Sequence, residues 1–413
     1  MRSPWLFGLL ALPPIPVLFF SAHVPAWAPT AAMIWLAALL IVRSAVTGRW
    51  LSHTPADLIL LGLLALLPLG LWAAPERDIT LPRTYAFIAN IAIFYALAMQ
   101  AENAALRWTG WLLLLAGVAF TIAIVPGTRF YAEQKLPFIA KSMYEILPSG
   151  LRLPGDENGF NPNMAGGLLA LFLPPALALS IRPHHWTQRI LAIVALILLA
   201  AAVMLTQSRG AILALLVAIV VVTGVLINPL RWLWWMGGWI ALGVAALKGG
   251  AILDAFLNAD PSGNGVHSMA QRTELWSRAI YAGLDFPFTG IGLGSFPRVM
   301  NLLYPSFKVN ITADVPHAHN IYLQALAEMG YPGLVLYLAF FFILLFSLSR
   351  QIRQAQDWAR SLAVGLLGSL TVLLVHGIVD TPTYSPLSAI VIWGLFGLMM
   401  AVGMYTQPLI PDS

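Results

Sequence analysis

The sequence predicts an all-α polytopic membrane protein, and three observations carry that prediction. Of the 413 residues, 59% are hydrophobic and 9% are charged, and the mean hydropathy is +0.81, whereas soluble domains carry roughly 25% charged residues. The apolar residues fall into many separate runs, each long enough to cross a hydrocarbon layer of about 30 Å as a helix. These runs lack the short alternating segments of a membrane β-barrel.

About twelve transmembrane helices are expected, with a large helical loop before the tenth. Residues 1–28 resemble a signal peptide, but prolines interrupt the apolar run and another span follows at once. We therefore assign them to the first membrane helix. The long loops cover residues 127–161 and 251–332. The expected spans are 4–22, 29–47, 57–74, 84–100, 107–126, 162–181, 189–206, 210–227, 232–250, 333–349, 361–379 and 386–405.

The basic residues orient the chain. If Met1 is cytoplasmic, ten of the 22 lysines and arginines lie in inner loops and twelve lie outside. Eight of those twelve belong to the two long loops, where the charge rule is weak, so the short loops hold ten inside against four outside. We expect both termini in the cytoplasm and both long loops in the periplasm or the cell exterior.

A single integral membrane domain over 1–413 is expected, because no repeat or break in composition divides the chain. The absence of cysteine excludes disulfides and thiolate metal sites, and no cluster has zinc spacing. In the larger loop, the apolar spacing over 273–281 predicts a helix along the membrane surface. The glycines of 290–296 predict a turn, and without a preceding strand and a following lysine they do not favour a phosphate cradle.

The segment from Pro316 to Gly333 carries the strongest sign of chemistry. It places two imidazoles, an amide and a carboxylate at the start of a helix expected near 316–320. Such groups are costly at a membrane boundary unless they react or satisfy one another. His319 is the first candidate, since the positive end of the helix disfavours imidazolium and leaves the ring able to accept a proton.

A polar stripe supports this candidate. Asn320, Gln324 and Glu328 recur every four residues on an otherwise apolar helix, so they share one face. A lone histidine at a membrane interface is more often a hydrogen-bonded anchor than a base. The polar neighbours of His319 favour the interpretation as a base. His317 either orients His319 or only caps the turn, and the sequence leaves both readings open.

Arginines on the outer side are candidates for anion binding. Arg209 lies in a short turn between two spans, where a guanidinium either reaches lipid headgroups or turns inward to an anion. Arg272 begins the surface helix and could meet the same anion; otherwise it is exposed or pairs with Glu274. Arg278 is a weaker candidate. Asp380 ends a span, and we expect it to have a structural role, pairing with an arginine.

At these residues the chain resembles the O-antigen ligase and polymerase superfamily, most closely the O-antigen ligases of Gram-negative envelopes. One family pattern is His-Asn, nine residues, Gly, two residues, Gly, and the other is Arg, three residues, Leu. They are met by His319, Asn320, Gly330 and Gly333, and by Arg209 and Leu213. The resemblance covers nearly the whole chain through its twelve spans and its large outer loop.

The resemblance implies transfer of a polysaccharide from undecaprenyl diphosphate to a sugar hydroxyl of lipid A-core, with inversion, at the periplasmic face of the inner membrane. Neither a metal nor another cofactor is implied. The implied partners are the lipid-linked donor, the lipid A-core acceptor and membrane lipid, and no nucleic acid. The implied roles are general base for His319 and diphosphate binding for Arg209 and Arg272. Possible support comes from His317, Asn320, Gln324, Glu328, Arg278 and Asp380.

Three alternatives stay open. A polymerase that extends the carrier-linked chain uses similar groups, and a ligase that glycosylates protein is less favoured because such relatives tend to be longer. A transporter of lipid-linked sugars belongs to another class and would place ionisable residues or broken helices near the middle of its spans. Here nearly all charges fall at span ends or in loops, although Pro174 and Pro175 interrupt one span.

Overall fold

The computed structural model describes residues 4–48, 53–102, 106, 108–129, 142–145, 147, 159–227, 269–305, 317–355 and 357–405. Across these residues the structure is helical, apart from an isolated parallel bridge between Thr128 and Phe160. Two short 3-10 helices cover Ser21–His23 and Met99–Glu102. The α-helices are α1 (Pro4–Ala11), α2 (Pro14–Phe19), α3 (Ala28–Thr47), α4 (Asp57–Ala73), α5 (Arg77–Ala98), α6 (Thr109–Gly127), α7 (Ser142–Glu145), α8 (Pro162–Ala170), α9 (Leu173–Ile181), α10 (Trp186–Leu205), α11 (Arg209–Leu226), α12 (Met269–Asp285), α13 (Phe296–Leu303), α14 (Ile321–Gln354), α15 (Asp357–His376) and α16 (Pro386–Met404).

The prediction of an all-α polytopic membrane protein is confirmed. Within the described ranges, nine helical segments are long and apolar enough to cross a membrane, and α4 and the Gly8–Phe19 region are shorter apolar helices. The expected span 232–250 lies outside the described residues, as do most of the loop 127–161 and residues 251–268 and 306–316. The total of twelve spans and the single-domain organisation therefore stay predictions.

Prolines change two of the expected spans. The segment 4–22 is not one continuous helix, because α1 ends at Ala11 and α2 begins at Pro14. The segment 162–181 divides into α8 and α9 before Pro174 and Pro175. A proline ring fixes φ and supplies no N–H, so it is tolerated in the first turn of a helix and weakens the helix at later positions.

Helix α14 follows the candidate histidine segment and contacts several other helices. It packs against α4, α15 and α16, and α12 lies against its N-terminal part. Aromatic rings join α14 to α5 and α16. The centroid of Phe340 lies 5.5 Å from that of Phe94 on α5 and 5.5 Å from that of Trp393 on α16. The span expected over 333–349 is thus the second part of a longer helix that begins at Ile321.

Helix α14 bends at Gly330, whose φ of 67° and ψ of −171° are accessible almost only to glycine. The turn that follows α12 satisfies backbone groups released by the bend. The Tyr331 N–H donates to the Pro287 carbonyl at 2.8 Å, and the Gly292 N–H donates to the Glu328 carbonyl at 3.1 Å. The segment that follows α12 is therefore hydrogen-bonded directly to α14.

The helix and the turn predicted for the larger loop are both present. The helix predicted over 273–281 is part of α12. After it, Gly290, Gly292 and Gly294 all have positive φ, at 62°, 88° and 76°. A Cβ on Gly290 would collide with the backbone of Glu328. The glycines thus allow this turn to approach α14 closely.

Candidate functional site

His319 sits just before α14 in a conformation that non-glycine residues rarely adopt. Its φ is 50°, a conformation that costs of order 1–3 kcal/mol and persists only where the surrounding structure imposes it. Asn320 caps the helix, because its Oδ1 accepts hydrogen bonds from the N–H groups of Tyr322 and Leu323, both at 3.0 Å. The helix therefore begins at Ile321, one residue after the expected range.

The loop between α15 and α16, residues 377–385, holds this segment in place. The Asn320 side-chain amide donates to the Ile378 carbonyl at 2.9 Å, and the Asn320 N–H donates to Thr381 Oγ1 at 3.1 Å. The Ile321 N–H donates to the Gly377 carbonyl at 2.8 Å. The strained residue is thus fixed by hydrogen bonds to a second loop.

The same loop brings a carboxylate to the candidate base. His319 Nδ1 lies 3.1 Å from Asp380 Oδ1, and the side chains are 12% and 8% exposed. The other oxygen, Asp380 Oδ2, lies 3.9 Å from His376 Nε2. The ion pairs that Asp380 makes among the described residues are therefore with histidines, in place of the expected arginine. His376 ends α15 just before the short 377–385 loop, and His319 lies beside that loop. Both imidazoles therefore reach Asp380.

Asp380 has the electrostatics of a buried anion. Burial alone would raise the pKa of its carboxyl group, but the hydrogen bond with His319 and the nearby His319, His376 and His317 outweigh it. They hold the pKa of that carboxyl below its usual range. An ionised Asp380 that bonds Nδ1 selects the tautomer in which His319 Nε2 carries the lone pair.

His317 orients the backbone of His319. Its Nδ1 accepts a hydrogen bond from the His319 N–H at 3.2 Å, and the two ring centroids lie 4.2 Å apart. Burial, followed by the neighbouring His319, lowers the pKa of His317 to about 3. The charges of Arg272 and Arg83 act in the same direction, and Asp380 opposes them. His317 is therefore a neutral hydrogen-bond acceptor.

The polar stripe on α14 holds loop segments of the site in place through hydrogen bonds. Asn320, Gln324 and Glu328 are 7%, 6% and 8% exposed. Gln324 Oε1 accepts from the Ala318 N–H at 2.6 Å, and Glu328 Oε1 accepts from the Gly294 N–H at 2.7 Å. Each of the three side chains thus ties a different loop segment to α14.

Helix α12 brings Arg272 and Trp276 to the histidines. Trp276 Nε1 donates to the His319 carbonyl at 3.4 Å. Arg272 is half-buried, and its charge interacts with His317 and His376. Arg272 Nε is buried and has no hydrogen-bond partner among the described residues. An unsatisfied buried donor on a cation can donate a hydrogen bond to an anion.

Arg209 and Arg278 occupy different settings. Arg209 is the first residue of α11, after the N-cap Ser208. A Cβ on its neighbour Gly210 would lie 3.2 Å from His376 Cδ2, so this helix N-terminus abuts the histidine cluster. Arg278 instead forms an ion pair with Glu274, with an N–O distance of 3.6 Å.

Two further ionisable residues belong to the site and were not among the candidates. His376 contacts Asp380 from four residues earlier in the chain. In the sequence, this four-residue spacing at the end of a span was the indication that His376 could belong to the site. Arg83 on α5 donates to the Tyr384 carbonyl at 3.0 Å, and its guanidinium lies 4.3 Å from the centre of the Tyr384 ring. The only signal for Arg83 was a basic residue on the outer side.

Part of this site, including Arg209, Arg272 and His319, lies in a segment that matches a known family. Residues 194–338 match the family model described as O-antigen ligase. This segment belongs to the O-antigen ligase superfamily. The resemblance inferred from the motifs is thereby confirmed. A comparison with curated proteins finds no match. The chain is also similar to a solved structure described as "Structural coordination of polymerization and crosslinking by a peptidoglycan synthase complex", with 16% identity and a TM-score of 0.45, over 86% of this chain and 98% of that chain.

The glycines of the O-antigen ligase motif have a structural explanation. A Cβ on Gly330 would lie 2.5 Å from the Pro287 carbonyl oxygen, and one on Gly333 would collide with Met329 Cβ. Both glycines permit the bend that carries His319 and Asn320 on one side and the long membrane segment on the other. Leu213 of the second motif is 56% exposed, so it does not pack in the core of the O-antigen ligase segment.

One arrangement in the O-antigen ligase segment and its neighbouring loop could hold a metal. Ligand atoms of His317, His319 and Asp380 lie within 4.8 Å of one another. Two imidazoles and a carboxylate are suitable donors for zinc or a similar ion. Sequence spacing could not reveal this group, because Asp380 lies 61 residues after His319.

Proposed function

We propose that this protein is a membrane glycosyltransferase, an O-antigen ligase acting at the periplasmic face of the inner membrane with both termini in the cytoplasm. It transfers polysaccharide from undecaprenyl diphosphate to a sugar hydroxyl of lipid A-core. The observation that carries the proposal is the buried His319–Asp380 pair, together with Arg272, whose charge acts on the adjoining His317 and His376. A histidine oriented by a carboxylate, beside a cation, suits proton removal next to a departing anion.

In the proposed reaction, the acceptor hydroxyl oxygen attacks the anomeric carbon while its proton passes to His319 Nε2. A new glycosidic C–O bond forms as the bond between the anomeric carbon and the diphosphate oxygen breaks. The electron pair of that bond leaves with undecaprenyl diphosphate from the opposite face, so the configuration inverts. Asp380 stabilises the imidazolium that results, and general base help is worth roughly 10²–10⁴-fold.

Arg209 and Arg272 are proposed to hold the diphosphate. A guanidinium binds phosphate oxygens through two parallel hydrogen bonds, and the N–H groups at a helix N-terminus favour anions. The unsatisfied Nε of Arg272 and the position of Arg209 at the start of α11 support this role. The glycosyl diphosphate carries its own driving force, so the proposal requires no nucleotide and no metal.

The base assignment is tested with purified protein, a lipid-linked polysaccharide donor and lipid A-core. His319→Ala should abolish transfer while the protein is still expressed in the membrane. His53→Ala is a matched control, because the His53 side chain is 93% exposed. Wild-type turnover by His319→Ala would refute the assignment.

A deletion strain separates ligase from polymerase, which would use the same groups. Loss of a ligase should leave finished polymer on the carrier and none on lipid A-core. Loss of a polymerase should leave single repeat units attached to the core. The second pattern would replace the ligase proposal with polymerase. In reconstituted vesicles, movement of the lipid-linked sugar without a new glycosidic bond would indicate a transporter.

A further inference from the structure

A cavity of about 360 Å³ lies beside the His319 site, between the end of α2, α5, α14 and α16. Polar side chains of its lining contact one another, since Arg83 donates to the Tyr384 carbonyl and its charge acts on Glu328. Aromatic ones also pack together, with the Phe87 and Trp393 ring centroids 5.5 Å apart. We call these two groups the polar end and the apolar end. The apolar residues include Phe19, Phe20, Phe87 and Trp393, and the polar ones include Arg83, Gln324, Glu328, Thr381 and Tyr384. Exposed Ala22 and His23 also line the cavity and form its rim.

The polar end lies next to two residues that contact the candidate base, His317 and Asp380. The Tyr384 ring lies 5.0 Å from the His317 ring, measured between centroids. Thr381 donates its N–H to Asp380 Oδ1 at 2.8 Å. One layer of side chains therefore separates the cavity from His319.

Arg83 gives this end a cation with unused hydrogen-bonding capacity. A guanidinium has five N–H donors, and among the described residues Arg83 makes one hydrogen bond, to the Tyr384 carbonyl. Its charge also interacts with Glu328, whose Oε1 accepts from the Gly294 N–H. Arg83 thus either only neutralises Glu328 or also binds an anionic ligand.

The cavity and the proposed diphosphate cations meet the site through different residues. The N-terminus of α11 abuts His376, and α12, which carries Arg272, contacts the His319 carbonyl through Trp276. The cavity instead meets the site through Tyr384 and Thr381. In an inverting displacement the nucleophile and the leaving group occupy opposite faces of the reacting carbon, so two lipid-linked substrates must approach from different sides.

We propose that this cavity binds the phosphorylated acceptor glycolipid, with a hydrocarbon chain in its apolar end and an anionic headgroup contacting Arg83. The proposal rests on the proposed glycosyl transfer. Cavities of roughly 300–1,000 Å³ are typical small-molecule sites, so this one suits one chain of a lipid. The headgroup then lies next to the base that must meet the acceptor hydroxyl.

Lipid retention tests the proposal without turnover. The full chain is placed in phosphatidylcholine nanodiscs, and binding of three separate probes is measured by native mass spectrometry. The probes are lipopolysaccharide that lacks O-antigen, undecaprenyl diphosphate and phosphatidylglycerol. Ala86→Trp fills the cavity, whereas Ala92→Trp on the same helix is a control, because Ala92 is half-buried and outside the cavity. Ala86→Leu replaces Ala86→Trp if the larger side chain prevents folding.

Ala86→Trp and Arg83→Gln should each weaken retention of the lipopolysaccharide by about tenfold or more, as expected for a lost charged contact or lost burial. Retention of undecaprenyl diphosphate should change by less than about twofold, and Ala92→Trp should change neither. Loss of undecaprenyl diphosphate alone would overturn the proposal, because the cavity would then hold the donor. An equal loss of phosphatidylglycerol would also overturn it, as a site for bulk lipid.

A double variant shows whether Arg83 binds the ligand or only neutralises Glu328. If Arg83 only neutralises Glu328, then adding Glu328→Gln to Arg83→Gln should restore retention, and that result would overturn the proposal. Persistent loss in the double variant supports it. Because the assay needs no reaction, an active His319→Ala would refute the base assignment and leave the cavity result standing.

Discussion

His319 Nδ1 and Asp380 Oδ1 lie 3.1 Å apart although the two residues are separated by 61 positions in the chain. Helices α14 and α15 run between them and return the carboxylate to the imidazole. Both side chains are nearly buried, so the pair exchanges little with solvent. The candidate base is therefore held by the packing of two long apolar helices.

Replacement of Asp380 tests the role of this pair. Asp380→Asn should lower kcat by roughly 10²-fold and leave KM nearly unchanged, because an amide neither fixes the tautomer nor stabilises the imidazolium. Steady-state kinetics on purified protein measure both constants. Asp285→Asn is the control, since the Asp285 carboxylate accepts a hydrogen bond from Tyr304 in an exposed setting. An unchanged kcat for Asp380→Asn would remove Asp380 from the mechanism.

Arg209→Lys should reduce transfer by about 10–100-fold, because an ammonium group is a point charge that cannot form the two parallel bonds of a guanidinium. Arg298→Lys is the matched control. Its guanidinium pairs with Glu76 at 2.6 Å on the exposed surface, so its loss should have little effect. Initial rates at saturating donor provide the comparison, and equal rates for the two variants would contradict the diphosphate contact.

Gly330→Ala should destabilise the protein more than Gly48→Ala. Both glycines have positive φ, 67° and 70°, but Gly48 has ψ of 7° and open space where a Cβ would lie. Alanine at 48 should cost about 1–2 kcal/mol. At 330 a Cβ would also meet the Pro287 carbonyl oxygen, and its ψ is accessible almost only to glycine. Thermal unfolding in detergent measures both variants, and equal midpoints would exclude this contact as a constraint.

The lowered pKa of His317 predicts a loss of stability in acid. The folded state binds fewer protons than the unfolded state between pH about 3 and the ordinary histidine value near 6.5. His317 therefore leaves the free energy of unfolding unaffected above pH 6.5, and should lower it by about 2 kcal/mol at pH 5. His317→Asn should flatten that part of the pH dependence of thermal unfolding, whereas exposed His185→Asn should not. Identical pH slopes for wild type and His317→Asn would show that His317 is protonated in the fold.

A chelator should leave transfer by the purified protein unchanged, because the proposal assigns the leaving diphosphate to arginines. The measurement compares rates before and after dialysis against EDTA. Activity that disappears and returns with zinc would instead point to His317, His319 and Asp380, whose ligand atoms lie close enough to hold an ion. The leaving-group model would then have to change.

Local sequence patterns predicted the elements that present the site. The spacing around 273–281 predicted part of α12, and the glycines of 290–296 predicted the turn with three positive φ angles. The start of α14 was predicted to within one residue, because N-cap and proline preferences depend on near neighbours in the chain. The roles assigned to the candidate residues stay predictions.

The sequence by itself determined that this is an all-α membrane protein with a polar histidine segment at the start of a long helix, because hydropathy and capping are local properties. Only the tertiary structure decided that Asp380 and His376 join His319, that His317 accepts a hydrogen bond from the His319 backbone, and that Arg83 lines a cavity next to them. These residues are distant in the chain or lie on different helices. Their meeting depends on how the helices pack and where α14 bends, which no local periodicity records.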